Sequence, residues 1–522
     1  MATNNNILNL LDNRFGNNAY WVKKESSYNV YPSKCEGGKV SCDEKQSAGN
    51  LKSDGLKNLQ SIANKSIQQL VGNRQSEEGK RNQNLLVFPA NLKDSPDDLA
   101  AKDKYILQLF ETGENEYRLS TGNVMGFIGV GKTQIRIKSR FAQNNGNDYF
   151  LQYMLSKVFH INLFSWDISK SEEAIFDLTA IMFPYFLKRA WKKGIFKQYR
   201  TYEYNDANVR GVLDINRHIR LNMPFAGKIA YRTREYSMDN DVTQLVRHTI
   251  EYLRSSSKFK EVLRNDTDTT QAVADICRVT ENSYSLRDRQ RILNKNSRNV
   301  SHPYFVEYAE LQNICRLILQ HGKLSYGEAK DDKKIYGVLF DGSWLWEEYI
   351  ATVVKEHFNH YTQKNSDFKL FTDKNSPQIV PDYLSKDGKS VADAKYIRLD
   401  SYSQTMRERG RNMEIYYKTL VYMLRFNAKL GFLFYPIDKQ NDNPEEVLRD
   451  KVFQIDGTDS YLVQLGLKIP QGEDKEYNDF CDKIREAEKE FAGKVKACGE
   501  AEKPSLEVYE KCISHKENQV VE

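Results

Sequence analysis

Cysteine pairs, proline and long apolar runs are what this sequence has least of. Its 522 residues include 12 prolines and 7 cysteines, and the cysteines (Cys35, Cys42, Cys277, Cys315, Cys481, Cys498 and Cys512) are scattered, with no C-x-x-C among them. A zinc site therefore has no support, and reduced thiols in a cytoplasmic protein are the expectation. No stretch approaches the ~18 consecutive apolar residues of a membrane-spanning helix. The opening "MATNNNILNLLDNRF" has neither a basic n-region nor an apolar h-region, so no secretory signal is expected. A large charge of one sign is missing too. With 77 Lys+Arg against 71 Asp+Glu the net charge is +6. Over this length that excess only weakly favours a nucleic-acid partner, so local patches must carry the case.

The chain is well supplied with packing material. Apolar residues make up 40% and aromatics 12%, with 31 Tyr and 25 Phe, which rules out a largely disordered chain. The length predicts roughly two to four domains. Residues 1–145 read as a β-rich N-terminal module, since "NLLVFPANL" and "YILQLFETGENEYRLSTGNVMGFIGVGKTQIRIKSRF" look like strands joined by Gly- and Asn-containing turns. Within it residues 33–83, poor in large apolar groups, read as a poorly packed polar insertion with one short helix at 57–71. From 146 to 330 apolar positions fall at helical spacing, predicting a mainly helical middle region. Residues 331–470 alternate helix and strand as an α/β domain with a mixed sheet would, and 471–522 form a charged, helix-prone appendage, exposed or docked. The expected fold class is multidomain α+β.

Residues 126–133, "GFIGVGKT", match the phosphate-binding loop G-x-x-x-x-G-K-[ST] at Gly126, Gly131, Lys132 and Thr133. Such a loop needs a strand before it and a helix after it, because loop N–H groups and the helix N-terminus bind phosphate together. The next residues are "QIRIKSRF", where Ile135, Ile137 and Ser139 alternate with Arg136, Lys138 and Arg140, the period of a strand. No Walker B strand lies downstream at a sensible distance. The segment is predicted to be a β-hairpin turning at Val130-Gly131-Lys132, with Gly131 at positive φ, and the chain is expected to bind no nucleotide itself.

The residues that point to chemistry lie in "IVPDYLSKDGKSVADAKYIRL". Asp387-Gly388 between two alternating runs predicts a hairpin. Asp382 lies on its first strand; Asp393 and Lys395, two apart, share a face of the second. This is the P-D…(D/E)-x-K spacing of a nuclease. Two carboxylates, Asp382 and Asp393, hold a divalent metal, Mg²⁺ or Mn²⁺, which neutralises charge on the scissile phosphate and lowers the pKa of attacking water. Lys395 orients that water and stabilises the developing charge. Upstream, "FDGSWLWEEYIATVVKEHF" is a predicted helix with Glu347 on the inward stripe of Ile350, Val354 and Phe358, and Glu348 facing Lys355 and solvent. Glu347 is either a further metal or supporting carboxylate or a helix residue at the edge of the stripe. Downstream, "RNMEIYYKTLVYMLRF" is a predicted helix with Met413, Tyr417, Leu420, Val421 and Leu424 on one face and Lys418 beside it, able to reach a phosphate. Between them "TMRERGRN" places Arg407, Arg409 and Arg411 in a loop, facing either DNA phosphates or solvent. Arg210, Arg217, Arg220, Arg232 and Arg234 form a basic cluster in sequence, either a DNA or partner contact or a structural ion-pair network, and His218, His248 and His302 show no metal-ligand spacing.

A helix with Glu347, a strand at Pro381-Asp382, a turn, an Asp393-Ala394-Lys395 strand and then a helix with Tyr417-Lys418 together resemble the McrC subunit of the modification-dependent McrBC restriction systems. The likeness extends through "VRGVLDINRHIRLN" and "KIAYRTREYSMDNDVTQLVRHTIEYLR" to the hairpin "GFIGVGKTQIRIKSRF", covering residues 115–435. It implies a PD-(D/E)xK nuclease subunit cutting double-stranded DNA in a phage-defence complex, with Asp382, Asp393, Lys395, Glu347 and Lys418 at its site. It also implies a McrB-like AAA+ NTPase partner that binds GTP or ATP, reads the DNA mark, and is stimulated by the N-terminal region of this chain. Lys418 stands where the family has glutamine, and the 33–83 insertion and the tail after 470 lengthen the chain. The alternative is a non-catalytic adaptor that assembles with the NTPase and stimulates it; the intact Asp382…Asp393-x-Lys395 set argues against that.

Overall fold

The computed structural model describes residues 6–71, 85–89, 105–160, 174–324, 335–397, 406–437, 450–471 and 476–501, apart from gaps at 16–17, 25–26, 33, 37–38, 42–47, 132, 144–146, 258, 265, 363–365 and 374. The chain divides into two compact units, one made of Met1–Lys170 with Asp331–Glu522 and the other of Ser171–Lys330. The two ends of the chain therefore fold together.

The strand Ile335–Asp341 is the reason. It pairs antiparallel with Val124–Val130 and parallel with Leu85–Phe88, inside a five-stranded sheet completed by Thr133–Lys138 and Asn6–Leu11. Its Val338, Leu339 and Phe340 are fully buried. The pairing is close enough to demand glycine on both sides. A Cβ on Gly126 would meet the Val338 carbonyl oxygen at 2.2 Å, and one on Gly337 would meet that of Phe127 at 2.2 Å. The separation of residues 1–145 from 331–470 read from composition is thus replaced by one body, because strand pairing across two hundred or so residues leaves no local pattern.

The nucleotide-loop lookalike sits in this sheet as a hairpin. Val124–Val130 and Thr133–Lys138 pair antiparallel from Gly126↔Ile137 to Val130↔Thr133. Gly131 has φ 53°, the left-handed conformation glycine tolerates best; Lys132 lies outside the described residues. With a strand where a helix N-terminus is required, the isolated chain is expected to show no binding of labelled ATP or GTP at micromolar concentration. Saturable binding abolished by Lys132→Ala would overturn this. The hairpin does not project from the body: Arg136 and Arg140 are buried, and the Arg140 guanidinium stacks 4.4 Å from the Tyr396 ring.

The expectation of a loose insertion at 33–83 fails for its middle. Helices Ser53–Ile62 and Ile67–Val71 bury Leu56, Leu59, Ile62, Ile67 and Leu70 in one core with Leu8, Ile135 and Leu339. Spacings of three put Leu56, Leu59 and Ile62 on one face of the first helix and Ile67 and Leu70 on one face of the second, although the surrounding composition is polar. Residues 42–47 and 72–83 lie outside the described ones.

A mixed six-stranded sheet carries the second half of this unit. Its strands run in the order Phe358–His360, Tyr383–Ser385, Ser390–Ala394, Leu430–Ile437, Tyr461–Lys468, Lys451–Gln454, parallel at the two central pairings and antiparallel elsewhere. Helix Tyr477–Glu500 docks here, with Phe491 5.2 Å from Phe434 and Lys494 2.8 Å from Asp450.

The Ser171–Lys330 unit is mainly helical, through Ala174–Trp191, Asp241–Ser255, Thr267–Thr280 and Val306–Leu324, and also holds a three-stranded sheet of Gln198–Asp206, Ile229–Ser237 and Val212–Leu213 that periodicity did not predict. No described helix is long and apolar enough to cross a membrane.

Candidate active site

The site grows out of a tight turn. Gly388 has φ 72°, and the Asp387 carboxylate accepts from Ser385 Oγ at 2.6 Å and Lys389 N at 3.1 Å. That turn sets the register Leu384↔Val391 and Tyr383↔Ala392. Asp382 lies one residue ahead of the strand Tyr383–Ser385 and not on it as expected, yet the same register carried one step further sets it opposite Asp393. Its Oδ2 accepts from Ala394 N at 2.7 Å. Asp393 lies alongside Leu433 in the sheet interior and is fully buried. Lys395 lies one residue past the strand Ser390–Ala394 and not on it as expected, yet it projects from the same face as Asp393, and its Nζ is 2.7 Å from Asp393 Oδ2. Lys418 comes from the facing helix Met406–Phe426, with Nζ 3.6 Å from Asp393 Oδ1.

Glu347 arrives on helix Gly342–Val354, which starts where the strand Ile335–Asp341 ends; Asp341 caps it by accepting from Ser343 N at 3.0 Å. Glu347, Ile350, Val354 and Phe358 are all buried, as the inward stripe requires, with Phe358 already on the next strand. Tyr383 OH donates to the Glu347 carbonyl at 2.5 Å and so ties the helix to the hairpin. Five sequence-predicted residues, Asp382, Asp393, Lys395, Lys418 and Glu347, thus meet at one place.

Their electrostatics are unequal. Burial pushes the Asp393 carboxyl up, but the charges of Lys395 and Lys418 and a hydrogen bond from Lys395 outweigh it and hold it down at about 2. Burial and then the charge of Asp393 raise Asp382 to about 7, against the opposing lysines. Burial, followed by Asp382, Glu348 and Asp393, pushes Glu347 well above the carboxylate range. The two ammonium groups satisfy Asp393; the other two acids remain short of positive charge. A divalent cation would supply it. Among the described residues no three His, Cys, Asp or Glu side chains converge to enclose a metal.

Three expectations are corrected here. Glu348 faces solvent only in part: its side chain is 31% exposed and its Oε1 lies 3.7 Å from His360 Nε2. The stripe of helix Met406–Phe426 is reversed, with Met413, Tyr417, Val421 and Leu424 exposed while Ile415, Thr419, Tyr422 and Met423 are buried. Arg407, Arg409 and Arg411 stand in the first turns of this helix and not in a loop; their side chains lie outside the described residues. In the other unit the arginine cluster is largely an ion-pair network, with Arg217–Glu203 at 2.9 Å, Arg232–Asp214 at 2.5 Å and Arg210–Asp206 at 3.7 Å.

One residue at the site was missed. His360 Nδ1 is 3.0 Å from the Asp382 carbonyl oxygen, and Nε2 is 3.7 Å from Glu347 Oε1. Burial lowers its pKa, but the nearby Glu348 carboxylate, the Asp382 carbonyl and the charge of Asp382 raise it overall. The only sequence signal was its position at the end of the helix–strand connection.

No curated protein matches the chain. Among solved structures, the chain is similar to a half-complex from the tetradecameric assembly of Thermococcus gammatolerans McrB AAA+ hexamers with bound McrC, at 14% identity over 75% of this chain and 88% of that chain, TM-score 0.39. It is also similar to the cryo-EM structure of the Thermococcus gammatolerans McrBC complex, at 12% identity over 51% of this chain and 74% of that one, TM-score 0.24. The family described as McrBC 5-methylcytosine restriction system component matches residues 119–436. That span holds every site residue named above and more than half of the chain, and the chain belongs to this family.

Proposed function

We propose that this chain is the McrC-like nuclease subunit of its restriction system, hydrolysing phosphodiester bonds of double-stranded DNA with Mg²⁺ or Mn²⁺ in the cytoplasm. The observation that carries the reading is the juxtaposition of buried Asp382 and Asp393 with Lys395, 2.7 Å from Asp393. Asp382 and Asp393 would hold the cation. When bound, it neutralises charge on the scissile phosphate and acidifies the attacking water. Asp393 also holds the Lys395 ammonium on the face where that water would stand, so Lys395 orients the water and offsets negative charge as it develops. Lys418 brings a second positive group from the opposite helix and fits the role the family gives to glutamine only in reaching a phosphate. Glu347 supports the metal site from its helix. Arg407, Arg409 and Arg411, on the same helix as Lys418, are proposed contacts to DNA backbone phosphates. Binding of GTP or ATP and reading of the mark are assigned to a McrB-like AAA+ partner.

The test is reconstitution. The chain, its cognate AAA+ NTPase, nucleotide and DNA bearing 5-methylcytosine should give cleavage with Mg²⁺, none after chelation, and recovery with Mn²⁺; the chain alone should cut poorly. Stimulated nucleotide hydrolysis with no cleavage under any divalent ion would make the chain an adaptor instead.

A further inference from the structure

Helix Met406–Phe426 packs on the strands Ser390–Ala394 and Leu430–Ile437, and two of its side chains reach down to opposite flanks. The register sets Asp393 beside Leu433 and Leu433 beside Gln464. Partners in a parallel pairing point to one face, so Asp393 and Gln464 share that face, two strand spacings or about 10 Å apart. Lys418 reaches the first, with Nζ 3.6 Å from Asp393 Oδ1. The Tyr416 hydroxyl reaches the second and accepts from Gln464 Nε2 at 2.8 Å. Tyr416 and Lys418 lie about 200° apart around the helix axis, and Ile415 and Thr419, on the face between them, are buried. The helix therefore straddles the strand of Leu433. Gln464 itself is buried in a strand that is otherwise apolar or glycine from Leu462 to Leu467. A buried amide in such a strand has to find a partner, and Tyr416 is the one it finds.

We propose that Gln464 is a positioning residue for Lys418: through Tyr416 it fixes the roll of helix Met406–Phe426 about its own axis, and so the place where the Lys418 ammonium meets a phosphate. This deepens the nuclease reading and rests on it. Tyr422, donating to the Val380 carbonyl at 2.9 Å, holds the flank that carries Lys418. The bond to Gln464 holds the opposite flank, and the two ties together resist rolling. A side-chain tip about 6 Å from the axis moves about 1 Å for a roll of about 10°. A misplacement of about 1 Å at a reacting group costs on the order of a hundredfold in rate. Because Gln464 acts only through Lys418, its loss costs no more than the loss of Lys418 itself.

The test removes both ends of the bond at once. Gln464→Met keeps the length of the side chain and Tyr416→Phe keeps the ring, and replacing both partners by apolar groups of similar shape is nearly neutral for stability. The readouts are kcat and KM for DNA cleavage in the reconstituted complex and the melting temperature of the full chain. The expected result is a double variant that melts like wild type and cuts with a kcat about tenfold or more lower. Lys418→Met should lose at least as much. Added to Lys418→Met, the two substitutions should change kcat by less than about twofold, since the group they position is already gone. A merely structural role predicts the same loss in both backgrounds and a lower melting temperature. The inference is overturned by a folded double variant that cuts like wild type, or by a loss as large with Lys418→Met as without it. If the double variant does not melt cooperatively, Tyr416→Phe alone is put through the same cycle and decides by the same outcomes. A wild type that cuts, is impaired by Lys418→Met and is indifferent to Gln464 defeats only this inference. Normal cutting by Lys418→Met defeats the role given to Lys418 and this inference, and leaves the nuclease reading standing. A wild type that cuts no DNA defeats that reading and this inference with it.

Discussion

Asp393→Asn is expected to lower DNA cleavage by the reconstituted complex about a hundredfold or more, with the fold retained. The substitution keeps the shape of a fully buried side chain and removes the charge that holds Lys395 and would hold the proposed cation. Asp393→Ala is the less clean experiment. Both variants remove the charge opposite the Lys395 ammonium, 8% exposed, but the asparagine amide oxygen still accepts from it, whereas alanine strands it at a cost of about 3 kcal/mol or more. Lys395→Met should lose cleavage to a similar degree while Mn²⁺ still binds, since it removes a competing cation from the carboxylates and no metal ligand. Cleavage rates, calorimetry and melting of the three variants check this together. Wild-type cutting by Asp393→Asn and Lys395→Met would place the active site elsewhere or make the chain an adaptor.

Deletion of residues 1–145 is expected to abolish the proposed metal site as well as any partner contact. It removes both neighbours of the strand Ile335–Asp341, namely Val124–Val130 and Leu85–Phe88. It also removes Asn123, whose carbonyl accepts from Gly342 N at 3.0 Å and whose side chain bonds Ser343 Oγ at 2.5 Å, at the start of the Glu347 helix. Phe141 and Arg140, which cover the Tyr396 ring next to Lys395, go with it. The truncated chain should show no cooperative melt and no Mn²⁺ binding. A fragment that melts cooperatively and binds Mn²⁺ would make the C-terminal half an autonomous domain after all.

How much of this was legible in the sequence depends on how local each cause is. Both hairpins were readable because Gly131 and Gly388 supply the turn and the flanking residues alternate. Asp393 and Lys395 were readable because a spacing of two in a strand is geometry in itself, and Glu347 because it continued the apolar stripe of its own helix. His360 was not, since only the register His360↔Tyr383 brings it to the site. The helix Met406–Phe426 misled for a different reason. Apolar residues occupy two of its sides, and periodicity cannot say which one the sheet will cover. Packing decides: Met423 Sδ and Thr419 crowd the face of Gly431, where a Cβ would come within 2.6 Å of that sulfur. The basic cluster at Arg210–Arg234 could not be resolved from charge alone, because its partners Glu203, Asp206 and Asp214 are brought near by the sheet.

The place of Ile335–Asp341 between Val124–Val130 and Leu85–Phe88 also sets the order of events at the ribosome. Val124–Val130 can pair with Thr133–Lys138 as soon as both have emerged, but its other edge must wait for a strand about 200 residues later, with the whole Ser171–Lys330 unit made in between. At roughly 5–20 residues per second that is a delay of about 10–40 s. Throughout it the growing chain carries a hydrophobic strand with an open hydrogen-bonding edge, the kind of template that recruits the wrong neighbour. Synthesis of the inserted unit is thus also a waiting time, and the N-terminal strands of this protein cannot complete their native sheet until the whole of that unit has been translated.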